Sequence, residues 1–283
     1  MNYNKEEYKS ILLKTVAELD RVCRENGLRY FLTGGSMIGA VRHHGMIPWD
    51  DDIDVAMPRK DLEKLKAMAS DVFDADYELV DYHTEGYHFR FAKLYHRNST
   101  VVEDEYNFYV GGVWVDVFAL DGLPGDRDEA CLYYMKNYAP DWYRLYSLYS
   151  PCSIVLNKGL KGFLRSIRAC VWHLLYDKHQ LIEKLERVAS EYDFDSAEWI
   201  INFQGGYGLK ELSRREYFDG YVLMDFDGYK FRVPKGYDGY LRDIYGDYMT
   251  LPPIEKRNTN HTFFFVDLKK RQVKEEIFKR IYP

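Results

Sequence analysis

Four aspartates crowd the mouth of a single apolar strand. Asp50, Asp51, Asp52 and Asp54 sit in the segment WDDDIDVAMP, where Pro58 ends the run. Side chains alternate across a strand, so Asp52 and Asp54 fall on one face while Ile53, Val55 and Met57 point into a core. Two ionised carboxylates ~4 Å apart repel by ~4 kcal/mol at an effective dielectric of ~20. The fold must therefore offset the pair with a cation or a raised pKa, or leave the acids solvated at the strand entry. With oxygen ligands alone and no Cys or His cluster nearby, the ion that fits is Mg²⁺ or Mn²⁺ rather than zinc.

A third acid lies in VWVDVFALD, where Asp116 stands mid-strand on the face opposite Val113, Val115 and Val117. An Asp among β-branched and aromatic strand residues is locally unfavourable. If this strand neighbours that of Asp52 and Asp54, three carboxylates converge, as metal-assisted phosphoryl transfer requires. Upstream, Gly34-Gly35-Ser36 lies between a strand and a helix. Alone it fits an ordinary turn; it also suits a phosphate, because glycines admit close approach, Ser36 can cap, and the helix start presents free N–H groups. Arg42 and Lys93 can add charge-assisted contacts. The combination of glycine corner, D-x-D and third strand Asp favours function over each bland reading. His43, His44, His96 and His261 read as structural histidines.

The remaining pattern places these motifs. Three-and-four spacing predicts a helix over Lys5 to Glu25, ended by Asn26-Gly27, then a strand over Leu28 to Leu32. A helix follows from about Arg59 to Phe73, with strands over Glu78 to Tyr82, Phe89 to His96 and Val113 to Phe118. Asp126 to about Tyr192 reads as helical, followed by a strand (Tyr229 to Val233), a helix (Tyr237 to Tyr245) and a last helix from Lys269. The expected class is α/β (α+β), a mixed sheet flanked by helices. Residues 1–125 form the expected catalytic core, 126–192 a helical insertion, and 193–283 an aromatic-rich part packed back onto the core.

Composition excludes several classes. The 283 residues can bury a sizeable core, and 39 Lys plus Arg against 45 Asp plus Glu give a net charge of −6, which disfavours nucleic acid as a partner. The four cysteines form no CxxC pair, and the opening MNYNKEEYKS lacks the apolar core of a secretory signal, so reduced thiols and a cytoplasmic location are expected. There is no GxxxxGK[ST], GxSxG or HExxH motif and no kinase signature.

The block GGSMIGAVRHHGMIPWDDDIDVAMPR closely resembles the signature of the LicD family, the phosphocholine transferase branch of the nucleotidyltransferase fold. RFAKLYHRNST, WVDVFALDGLP and VPKGYDGYLRDIYGDYMTLPPIEKR also resemble its later blocks, so the likeness runs from about Leu28 to His261 and is weakest from Cys131 to Ser190. The resemblance implies metal-binding acids at Asp52 and Asp54, a third carboxylate at Asp116 that binds metal or takes a proton, and a phosphate-cradling turn at Gly34, Gly35 and Ser36. It also implies positive positions at Arg42 and Lys93. The implied reaction moves phosphocholine, or a similar phospho-alcohol, from a CDP-activated donor such as CDP-choline onto a glycan or teichoic acid hydroxyl, releasing CMP. Two other functions stay open: attack at the α-phosphorus with pyrophosphate release, and non-catalytic binding of choline-bearing glycans.

Choline recognition needs an aromatic cage, and Tyr87, Tyr106, Tyr109 and Trp114 lie near the catalytic blocks in sequence. Finally, Trp142 to Tyr176 holds no acid. Within it Lys158, Lys161, Arg165 and Arg168 form one stripe of a helix, opposite Leu160, Phe163, Leu164, Ile167, Val171 and Trp172. Such a helix over 158–172 either packs on the core with a solvated basic face or docks on anionic lipid at the inner face of the membrane.

Overall fold

The computed structural model describes residues 3–149, 159–258 and 261–282. A mixed sheet runs in the order β1 (Phe31–Leu32), β2 (Asp54–Pro58), β6 (Trp114–Leu123), β4 (Ala92–His96) and β3 (Tyr77–Val80). Strands β2 and β6 are parallel, whereas β1–β2, β4–β6 and β3–β4 are antiparallel. The far half of β6 pairs with β7 (Trp199–Ile201), which pairs in turn with β8 (Ser213–Arg214). The expected mixed sheet flanked by helices is therefore present.

Two helices pack beside each other on this sheet. Helix α1 (Lys5–Glu25) starts where the Asn4 side chain accepts from the Glu6 and Glu7 amides, satisfying donors a helix start leaves free. Its stripe of Leu12, Val16, Leu19 and Val22 is fully buried. Helix α3 (Arg59–Val72) follows Pro58 directly, and Arg21 of α1 donates to the Val72 carbonyl at 2.9 Å.

A second apolar cluster gathers Leu123, Tyr138, Leu145, Leu185, Phe203 and their neighbours. Its helices are α4 (Arg127–Tyr133), which runs through a wide turn at Tyr134–Tyr138 into α5 (Ala139–Leu148), then α6 (Gly159–Leu175) and α7 (Lys178–Ala189). One buried network ties this layer to the sheet. Arg59 forks onto Asp121 at 2.7 Å twice and reaches Glu186 at 2.6 Å, and Gln204 bridges Glu186 to the Ala119 amide.

The C-terminal part returns to the first core. Strands β9 (Tyr221–Phe226) and β10 (Tyr229–Pro234) form a hairpin closed by Asp227-Gly228, both at positive φ, the two-residue turn that Asp-Gly favours. Helix α8 (Tyr237–Tyr245) follows. Strand β11 (Phe265–Asp267) pairs with β5 (Thr100–Val102), and α9 (Lys274–Ile281) closes the described chain.

Several expectations need correction. The first strand holds two residues rather than five, because only Phe31 and Leu32 find a ladder partner in β2. β6 runs on to Leu123, β9 and β11 were not expected, and the last helix begins at Lys274 rather than Lys269. Cys23 and Cys131 are free, but Cys170 is disulfide-bonded, against the expectation of reduced thiols throughout. Sequence spacing does not report which cysteines the fold brings within bonding distance.

Candidate active site

The parallel register of β2 and β6 sets Asp54 opposite Asp116, and the antiparallel register of β4 and β6 sets Lys93 opposite Asp116. Asp52 lies just outside β2 rather than in it, since the strand begins at Asp54; the Ile53 carbonyl still accepts from the Asp116 amide at 3.0 Å. Carboxylate oxygens of Asp52, Asp54 and Asp116 all lie within 4.8 Å of one another. Burial, then the charges of Asp52 and Asp116, push the Asp54 carboxyl far above its ordinary range. Burial and Asp50 raise Asp52 to about 7, and burial raises Asp116 to about 6 even against Lys93. Burial, then the charge of the neighbouring Asp51, also raises the Asp50 carboxyl above its ordinary range.

Lys93 is only 1 % exposed. Its ammonium donates to Glu103 at 2.8 Å, lies 3.3 Å from Asp116 Oδ1, and sits 4.0 Å above the centre of the Trp114 ring. The contact with Asp116 lacks hydrogen-bond geometry, which leaves Oδ1 a buried acceptor without a donor. Carboxylates crowded in this way, one with an orphaned oxygen, fit a hard divalent cation.

The glycine corner lies directly on these acids. Gly34 has φ +55°, and a Cβ there would stand 3.0 Å from Asp54 Oδ2; one on Gly35 would stand 2.6 Å from Asp50 Oδ2. The short helix α2 (Gly34–Ile38) has Thr33 at its cap position, and the Ser36 hydroxyl accepts from the Asp54 amide at 2.9 Å instead of capping. Ser36 therefore fixes the backbone that carries Asp54. Arg42 points elsewhere: its guanidinium donates to the Tyr248 carbonyl at 2.5 Å and to His43 Nε2 at 3.0 Å.

One site residue escaped the sequence reading. His261 Nδ1 lies 2.8 Å from Asp51 Oδ1 and 3.8 Å from Asp52 Oδ2, and its ring meets Trp114 edge-on. Burial alone would lower its pKa, but the hydrogen bond to Asp51 and the charges of Asp52, Asp51 and Asp116 raise it to about 9. As an imidazolium it has no lone pair for a metal, so Asp51, Asp52 and His261 read as an ion-paired group beside the carboxylate trio. A cavity of about 740 Å³ adjoins this edge, walled by Tyr3, Tyr8, Trp49, Asp50, Asp51 and Arg257. Of the four aromatics named from sequence, Tyr87 and Trp114 are buried in the core, Tyr109 is half-buried against Tyr87, and Tyr106 is exposed.

Residues 27–123, which carry the glycine corner and all three carboxylates, match the family model described as LicD/FKTN/FKRP, nucleotidyltransferase domain. The chain is 27% identical over 268 residues to the lipopolysaccharide cholinephosphotransferase LicD of Haemophilus influenzae, covering 90% of this chain and 95% of that protein. It is also 35% identical over 102 residues to the mouse ribitol 5-phosphate transferase FKRP, a match that spans 35% of this chain and 20% of the mouse protein. The domain match is centred on the acidic site and the LicD relative is matched nearly end to end, so the chain resembles LicD-family transferases over most of its length.

Proposed function

We propose that the protein transfers phosphocholine, or a similar phospho-alcohol, from a CDP-activated donor to a hydroxyl of a cell-surface glycan or teichoic acid precursor. The relatives are by name a cholinephosphotransferase and a ribitol 5-phosphate transferase, so phosphotransfer of this kind is the activity the family indicates. The observation that carries the reading is the meeting of Asp52, Asp54 and Asp116 beneath Gly34.

Asp52, Asp54 and Asp116 would hold Mg²⁺ or Mn²⁺. When bound, such an ion neutralises the donor's diphosphate and polarises the phosphorus under attack. The chain's own groups do the rest. Lys93 keeps Asp116 in place, Ser36 keeps Asp54 in place, and Gly34 and Gly35 leave room for phosphate oxygens against the acids. The acceptor oxygen bonds to the distal phosphorus, the bond to the bridging oxygen breaks, and CMP leaves with that oxygen while the acceptor proton passes to the acidic cluster. His261 balances charge on Asp51 and Asp52. The cavity beside Asp50 offers the volume that one of the two substrates needs.

The test is incubation with Mg²⁺ and a panel of CDP-alcohols, each with a glycan acceptor, scored for CMP by mass spectrometry. Release of pyrophosphate from CTP in its place supports nucleotidyl transfer. Binding of a choline-bearing glycan with no turnover supports the non-catalytic alternative, for which clustered carboxylates serve no purpose.

The acceptor's setting is also proposed. No helix among the described residues is long and apolar enough to cross a membrane. On α6, however, Leu164, Ile167 and Val171 are exposed rather than packed, and Leu174 and Leu175 project at 86% and 69% exposure. Lys158 and the side chains of Leu160, Lys161 and Arg165 lie outside the described residues. An exposed apolar edge in an acid-free segment supports peripheral contact with an anionic membrane, where a lipid-linked acceptor is presented.

A further inference from the structure

The cavity of about 740 Å³ beside Asp50 has one wall built of hydrogen-bond donors that the protein itself does not use. Arg257 stands over the Trp49 ring, with Cζ 5.4 Å from the centroid, and its Nε donates to the Pro252 carbonyl at 2.8 Å. Among the described residues no carboxylate forms an ion pair with it. His43 meets the same indole edge-on, with centroids 6.1 Å apart. Arg42 donates its Nε–H to His43 Nε2 at 3.0 Å. A guanidinium can only donate, so Nε2 carries the lone pair and Nδ1 carries the proton. Burial, then the charge of Arg42, lowers the His43 pKa and holds the ring in that neutral form. Its Nδ1–H meets no acceptor among the described residues.

The same wall carries an electrostatic cost. Burial, then the charge of Arg257, lowers the Arg42 pKa, so two guanidiniums repel each other with no carboxylate paired to either. The acids that line the cavity are engaged elsewhere: Asp227 holds Lys9 at 2.7 Å, and Asp51 lies 2.8 Å from His261. The exposed Lys5 and Glu6 balance in charge. A wall with planar N–H donors, surplus positive charge and a volume typical of small-molecule sites suits a ligand that brings acceptors and negative charge. A phosphate group has that chemistry, and a guanidinium fork matches it. The lining reaches Asp50 and Asp51 but includes none of Asp52, Asp54 and Asp116, so a phosphate here is separate from one held against that trio.

We infer that Arg257 and His43 form a subsite for a phosphate group carried by the acceptor, with the reacting hydroxyl turned toward Asp50 and Asp52. The acceptor unit is then a phosphorylated sugar or polyol, not a neutral glycan. The inference rests on the proposed phosphotransfer and adds what its acceptor must carry. Trp49 fixes the Arg257 guanidinium, and Arg42 fixes the tautomer of His43.

Calorimetric titration of the full chain with glucose 6-phosphate, glucose and inorganic phosphate tests this, with CMP plus Mg²⁺ as a separate arm. Glucose 6-phosphate should bind at least about tenfold tighter than glucose and lose at least about tenfold in Arg257→Gln and about threefold in His43→Phe, while CMP binding changes by less than about twofold in both. Inorganic phosphate should bind more weakly than the sugar phosphate; equal affinity marks an anion site that does not read the acceptor and overturns the assignment. Equal binding of glucose and its phosphate, or no change in either variant, overturns the subsite, while CMP binding still supports the donor reading. A loss of CMP binding in Arg257→Gln as large as that of glucose 6-phosphate gives the phosphate to the donor and overturns the acceptor assignment. If CMP does not bind the unaltered protein, the donor reading fails and the assignment falls with it.

Discussion

Lys93 Nζ lies 3.3 Å from Asp116 Oδ1, on facing positions of β4 and β6 in the interior of the sheet. Burial lowers the Lys93 pKa and the charges of Asp116 and Glu103 more than restore it, so the ammonium stays charged. The lysine thus acts as a fixed counter-charge that lets one carboxylate of the trio remain ionised.

Removing that counter-charge isolates Asp116. Lys93→Met is expected to cost about 3 to 5 kcal/mol of stability at pH 8, the usual penalty for stranding one partner of a buried pair. The cost should shrink at about pH 5, where Asp116 can take up a proton instead. Urea unfolding at the two pH values checks both; equal costs would show that the lysine only fills space.

Asp54→Asn and Asp116→Asn should separate function from stability. Each is expected to lower turnover by ~10³-fold, the scale of losing one preorganised electrostatic contact. Asp54→Asn also removes a repelling charge, so the metal-free protein should melt higher than the unaltered one at pH 8, whereas Asp116→Asn takes a partner from the buried Lys93 and should not. Retained turnover in either variant would remove it from the proposed metal site.

The acidic cluster makes stability depend on pH with a definite sign. Asp52 is raised to about 7 and Asp116 to about 6, so the folded state holds protons that the unfolded state has released. Stability is then full below the ordinary carboxylate value and falls as pH climbs toward those raised values. His261, raised to about 9, adds a further loss as pH rises through that value. Melting temperature without metal should therefore decline from about pH 4 to about pH 7. Added Mg²⁺ should raise it strongly at pH 8 and little at pH 5, because protonated carboxyls do not bind the ion. A flat profile, or equal Mg²⁺ shifts at both pH values, would count against the site.

Gly34→Ala places a side chain at φ +55° and 3.0 Å from Asp54 Oδ2. The strain is worth ~1 to 3 kcal/mol. A displacement of Asp54 by a fraction of an ångström should lower turnover by at least about tenfold, since small misplacements are heavily penalised. Thermal melting and steady-state rates, measured together, distinguish the two effects.

Leu174 and Leu175 offer the membrane test. Vesicles rich in anionic lipid should co-sediment with the protein and zwitterionic vesicles should not, and Leu174→Glu with Leu175→Glu should abolish the difference. Sedimentation indifferent to lipid charge would remove the docking role of α6.

The sequence made Asp52, Asp54 and Asp116 legible because acids are conspicuous beside or inside apolar strands, and alternation assigns the face of Asp54 and Asp116, though not of Asp52, which lies outside β2. It could not say that the two strands are parallel neighbours, since register depends on β4 arriving on the far side of β6. Lys93 was visible as a charge, but its burial was not, because that depends on Trp114 beneath it. His261 left no local signal: it is brought in by a later element and becomes meaningful only through what it faces. The hairpin of β9 and β10 was missed although its sign was present, an apolar run before Asp227-Gly228; only the strand over Tyr229 to Val233 was expected. The α6 face resisted reading, because helical periodicity names a stripe but not the neighbour that covers it.

The late position of His261 bears on how the molecule is made. The three carboxylates and Lys93 have all been synthesised by Asp116, whereas the imidazole that offsets Asp51 and Asp52 follows 145 residues later. At ~5 to 20 residues per second, a nascent chain carries an uncompensated acidic sheet edge for about 7 to 30 s. Interrupted translation products that stop before His261 should therefore be conspicuous to proteases, which would keep unfinished copies from sequestering donor.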